Sequence, residues 1–153
     1  MSFDNKNLIN EIKQKVEEAQ EREIKVTLGI LDEWLAYCNT PKFEENFEQM
    51  LFNSISRGCT RAILNISFTA DSDIYDANFK IDCDKVLCGG LGDRTLHFQH
   101  NNIEKYSPII KEKIKQITRT CVSRLNTING VTATYHDSVY TGPECYYNIY
   151  VEW

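Results

Sequence analysis

Between Tyr106 and Asn129 six apolar residues, Ile110, Ile114, Ile117, Cys121, Leu125 and Ile128, recur at spacings of 4, 3, 4, 4 and 3. That rhythm puts all six on one stripe of an α-helix. Ser107-Pro108 reads as the helix start, with the serine as cap and proline at the first helical position. Gly130, after Asn129, supplies the left-handed residue that closes it. A helix over about 107–129 is a rod of roughly 30 Å. With one apolar stripe it needs a surface to lie on, and the segments around it alternate in the way a sheet requires.

The first third of the chain reads as helical. Over 5–22, Ile9, Ile12, Val16 and Ala19 make a thin apolar stripe amid charges. Over 25–39, Ile24, Leu28, Leu31, Leu35 and Cys38 repeat at 4, 3, 4 and 3, with Gly29 as a weak point or kink. The alternation Ile24, Val26, Leu28, Ile30 competes for a strand; the helical rhythm is the longer. A third helix follows Thr40-Pro41, with Phe43, Phe47, Met50, Leu51 and Ile55 as its buried face and Gly58 as its stop.

Period-two alternation then takes over. Ala62, Leu64, Ile66 and Phe68 form one parity of a strand, followed by a turn at Ala70-Asp71-Ser72-Asp73. Phe79, Ile81 and Cys83 mark the next strand, and Leu96 and Phe98 a third beyond the glycine-rich loop 89–92. After the long helix, Val131, Ala133 and Tyr135 alternate with Thr132, Thr134 and His136. In the last segment Cys145, Tyr147, Ile149, Val151 and Trp153 alternate with Tyr146, Asn148, Tyr150 and Glu152. The expected fold is α+β: N-terminal helices, then an antiparallel sheet of about five strands with the long helix packed across one face. One domain covers 1–153, helical over about 5–57 and sheet plus long helix over about 60–153.

Composition enters where function is concerned. A net charge of −5 disfavours nucleic acid and anionic membranes as partners. No apolar run reaches the length of a membrane span or of a signal peptide's core, so the expectation is a soluble, cytoplasmic protein. On that reading the six cysteines are reduced thiols, Cys121 serving as a small core residue. The Asn, Ile and Lys content fits an AT-rich genome such as that of a large DNA virus.

Chemistry-bearing motifs are thin. Cys83-x4-Cys88 with His97 and His100 has the ligand order of a zinc site but poor spacing. The acidic run Asp71, Asp73, Asp76 lacks the glycine and ligand positions of a calcium loop. Neither implies a metal, and no motif implies a cofactor. The glycine loop before Arg94 leads into a strand, which leaves no helix N-terminus for a phosphate. Lys111, Lys115 and Arg119 form a basic stripe on the long helix, which reads as a solvated flank.

Two function classes survive. The first is a binding or assembly module that recognises a protein partner or itself through the polar sheet face. Tyr146, Asn148, Tyr150, Thr132, Thr134 and His136 lie on it, tyrosine being a common recognition residue. The second is a small hydrolase or nucleotide-processing enzyme in which His97 meets His136, with Asp137 as a neighbouring carboxylate.

Overall fold

In a computed structural model, the described residues are 5–72, 77–84, 94–98, 100–138, 142 and 144–153. They form three helices and five strands: α1 (Asn5–Cys38), α2 (Pro41–Ser56), β1 (Arg61–Ser72), β2 (Ala77–Cys83), β3 (Arg94–Phe98), α3 (His100–Leu125), β4 (Thr132–Ser138) and β5 (Cys145–Glu152). The class is α+β. Strand order is β3-β2-β1-β5-β4 and every pairing is antiparallel. No helix among the described residues is long and apolar enough to cross a membrane.

The organising helix is longer than its stripe suggested. It starts at His100, so Ser107-Pro108 lies inside it and does not cap it. Proline removes one intrahelical donor, but Pro108 and Glu104, the residue whose carbonyl loses that donor, are both exposed, which keeps the cost tolerable. Ile110, Ile114, Ile117, Cys121 and Leu125 are all buried. The helix ends at Leu125, four residues before Asn129. There Asn126 clasps β4: its side-chain amide donates to the Ala133 carbonyl at 2.9 Å and accepts from the Ala133 N–H at 2.7 Å. Gly130 takes the positive φ of 83° that the turn back into β4 requires.

The N-terminal part departs further. The two helices expected over 5–22 and 25–39 are one continuous α1 of 34 residues. Residues 22–25 are all tolerable helix formers, and Gly29 costs only about 1 kcal/mol in an interior. The buried face is Gln20, Ile24, Thr27, Leu31, Trp34 and Cys38, with Leu28 and Leu35 at its margin. In α2, Phe43, Phe47 and Leu51 are buried as their spacing indicated. Ile55 instead faces water, and Ser54 takes the fourth buried position.

β1 also outruns its expected end. Asp71 and Ser72 pair with Asn78 and Ala77, so Ala70–Ser72 is strand, not turn. One sheet face, with Leu64, Ile66, Phe68, Phe79, Ile81, Tyr147, Ile149 and Val151 buried, joins the α1, α2 and α3 stripes in a continuous apolar core. α1 and α3 run parallel at its centre. Cys38 Sγ meets Cys121 Sγ at 3.3 Å, and Lys113 Nζ meets Asp32 Oδ1 at 2.7 Å. The expectation of six reduced thiols fails at Cys83, which is disulfide-bonded. Cys38, Cys59, Cys121 and Cys145 are free.

Candidate functional site

The other sheet face exposes Ile63 of β1, Tyr150 of β5 and Thr132, Thr134 and His136 of β4. Strand register sets its rows: Thr134, Tyr150 and Ile63 lie side by side, then His136, Asn148 and Asn65, then Ser138, Tyr146 and Ser67. This placement follows from alternation, since Cys145, Tyr147, Ile149 and Val151 occupy the buried parity of β5.

Local bonds stiffen part of this face. Asn65 donates from Nδ2 to Asn148 Oδ1 at 2.9 Å. The His136 and Tyr150 rings meet edge to face at 5.1 Å and 83°, a favoured aromatic geometry. Glu144 accepts the Ala70 N–H at 2.7 Å and the Tyr146 hydroxyl at 3.3 Å. Ser67 is buried between its neighbours, whereas Thr132, Thr134 and His136 are exposed. The most exposed apolar group described on this face is Ile63, at 63%, directly beside Tyr150 at 36%. Sequence reasoning missed Ile63, and its signal was present: an isoleucine on the parity otherwise held by Asn65 and Ser67. At the end of the face a shallow hollow is lined by Thr60, Arg61, Glu152 and Trp153.

The two histidines of the enzymatic reading are not brought together. His97 lies on β3 opposite Asn78, and His136 on β4 opposite Asn148. β3 and β4 are the two edges of the sheet, four strand spacings or about 19 Å apart. Acid–base partnership needs hydrogen-bond reach, directly or through one water. Asp137 follows His136 along β4 and so points to the opposite face.

The remaining candidates scatter. In the basic stripe, Lys111 donates to the Gly142 carbonyl at 3.3 Å and Arg119 Nε to the Tyr135 hydroxyl at 3.2 Å. Lys115 is half-buried on the same flank, so two of the three cations tie α3 to the sheet's far end. Cys88, Asp73, Asp76 and the glycine loop lie outside the described residues. Among the described residues no three His, Cys, Asp or Glu side chains converge as a metal site.

Burial sets the thiol and phenol chemistry beneath the sheet. Desolvation pushes Cys145 up to about 11, and Tyr147 up to about 12 with Asp137 adding to it. Cys121 is also raised well above the ordinary thiol value, first by its contact with Cys38 and then by burial. These are inert core groups rather than nucleophiles. No protein-family model, curated protein or solved structure matches the chain.

Proposed function

We propose that the chain is a non-enzymatic binding module that engages a protein partner through the uncovered face of β1, β5 and β4. The observation that carries this reading is Ile63 standing in water beside Tyr150. Toward the sheet interior it is followed by the uncharged row of Asn65 and Asn148 and then by Tyr146, and Arg61 and Glu152 stand on its other side. An apolar group with uncharged hydrogen-bonding rows on one side and a cross-strand Arg61–Glu152 pair at the rim is the make-up of a protein interface.

The test separates this face from the core beneath it. Tyr146→Ser with Tyr150→Ser should leave the melting temperature nearly unchanged and remove partner capture that wild type and Lys113→Ala both retain. Tyr147→Ser, one residue over and buried, should cost about 3–5 kcal/mol in folding. A double variant that melts normally and still holds every partner held by wild type would show the face to be merely wet. Loss of folding in the double variant would instead make it part of the core.

A further inference from the structure

Before Gln20, no described side chain of α1 joins the buried core. From the two α1–α3 contacts, the parallel helices are offset by about 82 residues, which sets His100 level with about residue 18. Burial on α1 begins there, at Gln20. Residues 5–19 therefore extend past the start of α3 as an arm of about four turns, roughly 22 Å. A polar helix could stand in water in this way, but the arm is not purely polar. Leu8, Ile9 and Ile12 are exposed, Ile12 at 53%, and at 100° per residue they share a stripe with Val16 and Ala19. Lys6 and Lys13 flank that stripe on one side and Lys15 and Arg22 on the other. Glu11 and Glu18 lie just outside Lys15 and Arg22, four residues before each, and Glu17 and Glu21 lie behind.

The same molecule presents the complement. On α2, Glu45, Glu48, Phe52 and Ile55 follow one another at spacings of 3, 4 and 3, on the face away from buried Phe43, Phe47 and Leu51. Phe52 is 68% exposed, the most of any large apolar side chain among the described residues, and Ile55 is exposed with it. One unpartnered helix face is thus apolar with cationic flanks, and the other is apolar with an acidic continuation. Laid antiparallel, Leu8, Ile9 and Ile12 meet Ile55 and Phe52, while Lys15 and Arg22 run toward Glu48 and Glu45.

We propose that the arm of one copy docks along α2 of a second copy, and that the contact is reciprocal, closing a two-fold dimer. A second copy is the occupant because it brings both halves of the charge match at once. Reciprocity follows from area. One four-turn helix contact is small for a stable interface, whereas two related by a dyad approach the standard size. The dimer uses neither Tyr146 nor Tyr150, so it stands or falls independently of the sheet-face reading.

Sedimentation velocity over a concentration series tests it. The wild-type chain should pass from monomer to twice the monomer mass with a Kd of about micromolar, weakening as salt rises. Ile12→Asp and Phe52→Asp should each abolish the dimer, and circular dichroism confirms that these surface variants still fold. Lys15→Glu with Arg22→Glu should raise Kd at least about tenfold, as should Glu45→Lys with Glu48→Lys. All four reversals in one chain should restore it. The Tyr146→Ser, Tyr150→Ser variant should dimerise as wild type does. A monomer at every concentration overturns the proposal. So does a dimer lost in Ile12→Asp but kept in Phe52→Asp, which would pair arm with arm. Growth past twice the monomer mass would overturn the reciprocal closure. Partition of the wild-type monomer, but not Ile12→Asp, onto vesicles of anionic phospholipid would assign the arm to a lipid surface instead.

Discussion

α1 and α3 are the two long helices of the molecule, and both carry an apolar stripe of regular period. α3 buries its stripe from Tyr106 to Leu125, between the sheet and α1. α1 buries only its second half, and over residues 6–19 the same kind of rhythm is exposed save for half-buried Val16. The difference teaches that periodicity reports which face of a helix is apolar, while the length of the neighbour decides how much of it is covered. It also teaches where each helix gets its stability. A bare helix of about fifteen residues is marginal, so the arm persists by propagating from a segment nucleated against the core.

The widest gap between the two should appear in amide exchange at concentrations where the chain is monomeric. Amides of Ile110–Cys121 should exchange only through global unfolding, at a cost in the usual range of about 5–15 kcal/mol. Those of the arm should open for about 1 kcal/mol and lose protection progressively toward residue 5. Uniform protection along α1 would mean that the arm is covered within the monomer.

Side-chain deletions give a smaller contrast. Ile114→Ala or Ile117→Ala should cost about 2–5 kcal/mol, because buried methyl groups are lost and a cavity remains. Ile12→Ala should cost under about 0.5 kcal/mol in the monomer. Denaturant titration of the three variants reads both, and equal losses would erase the distinction drawn here.

Alkali should act on the covered region alone, with the smallest effect. Cys145 and Tyr147 have folded-state pKa values raised to about 11 and about 12, from 9.0 and 10.0. Both are neutral when protonated, so the unfolded chain releases these protons first as pH rises. Their contribution is therefore whole below pH 9 and is lost through pH 9–12, and the denaturation midpoint should fall across that window. Cys145→Ala should reduce the fall between pH 9 and 11 without abolishing it, because the Cys121 thiol is raised as well. A midpoint independent of pH up to 12 would mean that neither group is desolvated.

How much of this was legible in the sequence depends on what each signal encodes. The parity of β5 reads correctly because Ile149 and Val151 stand opposite Asn148 and Glu152, and alternation leaves one solution. The α3 core stripe reads correctly from Ile110 to Leu125 for the same kind of reason, whereas Ile128 lies past the helix end and is half-buried. The ends do not: Ser107-Pro108 has the composition of a cap, yet whether it caps depends on what precedes it. Gly29 looked like a break in α1, but a glycine's modest penalty is overcome once Leu31, Trp34 and Cys38 are packed. The separation of His97 from His136 was invisible, because strand order follows from pairing across the chain rather than from any local pattern. Exposure of Phe52 and Ile55 was hidden similarly, since α2 has apolar residues on more than one face.

The strand order has a consequence for how the chain comes into being. β5, last of the five in sequence, lies between β1 and β4, and Asn148 finds Asn65 across 83 positions. Chains dominated by such distant pairings fold slowly, because the entropy of closing the loop must be met before any contact repays it. During synthesis β1 can pair with β2 as soon as both have left the ribosome, yet its other edge stays unpaired until β5 follows. For that interval Leu64, Ile66 and Phe68 sit beside an open ladder of backbone donors and acceptors, the kind of edge on which strands from other chains add. A nascent chain of this protein is thus most vulnerable to misassembly just before its final strand arrives.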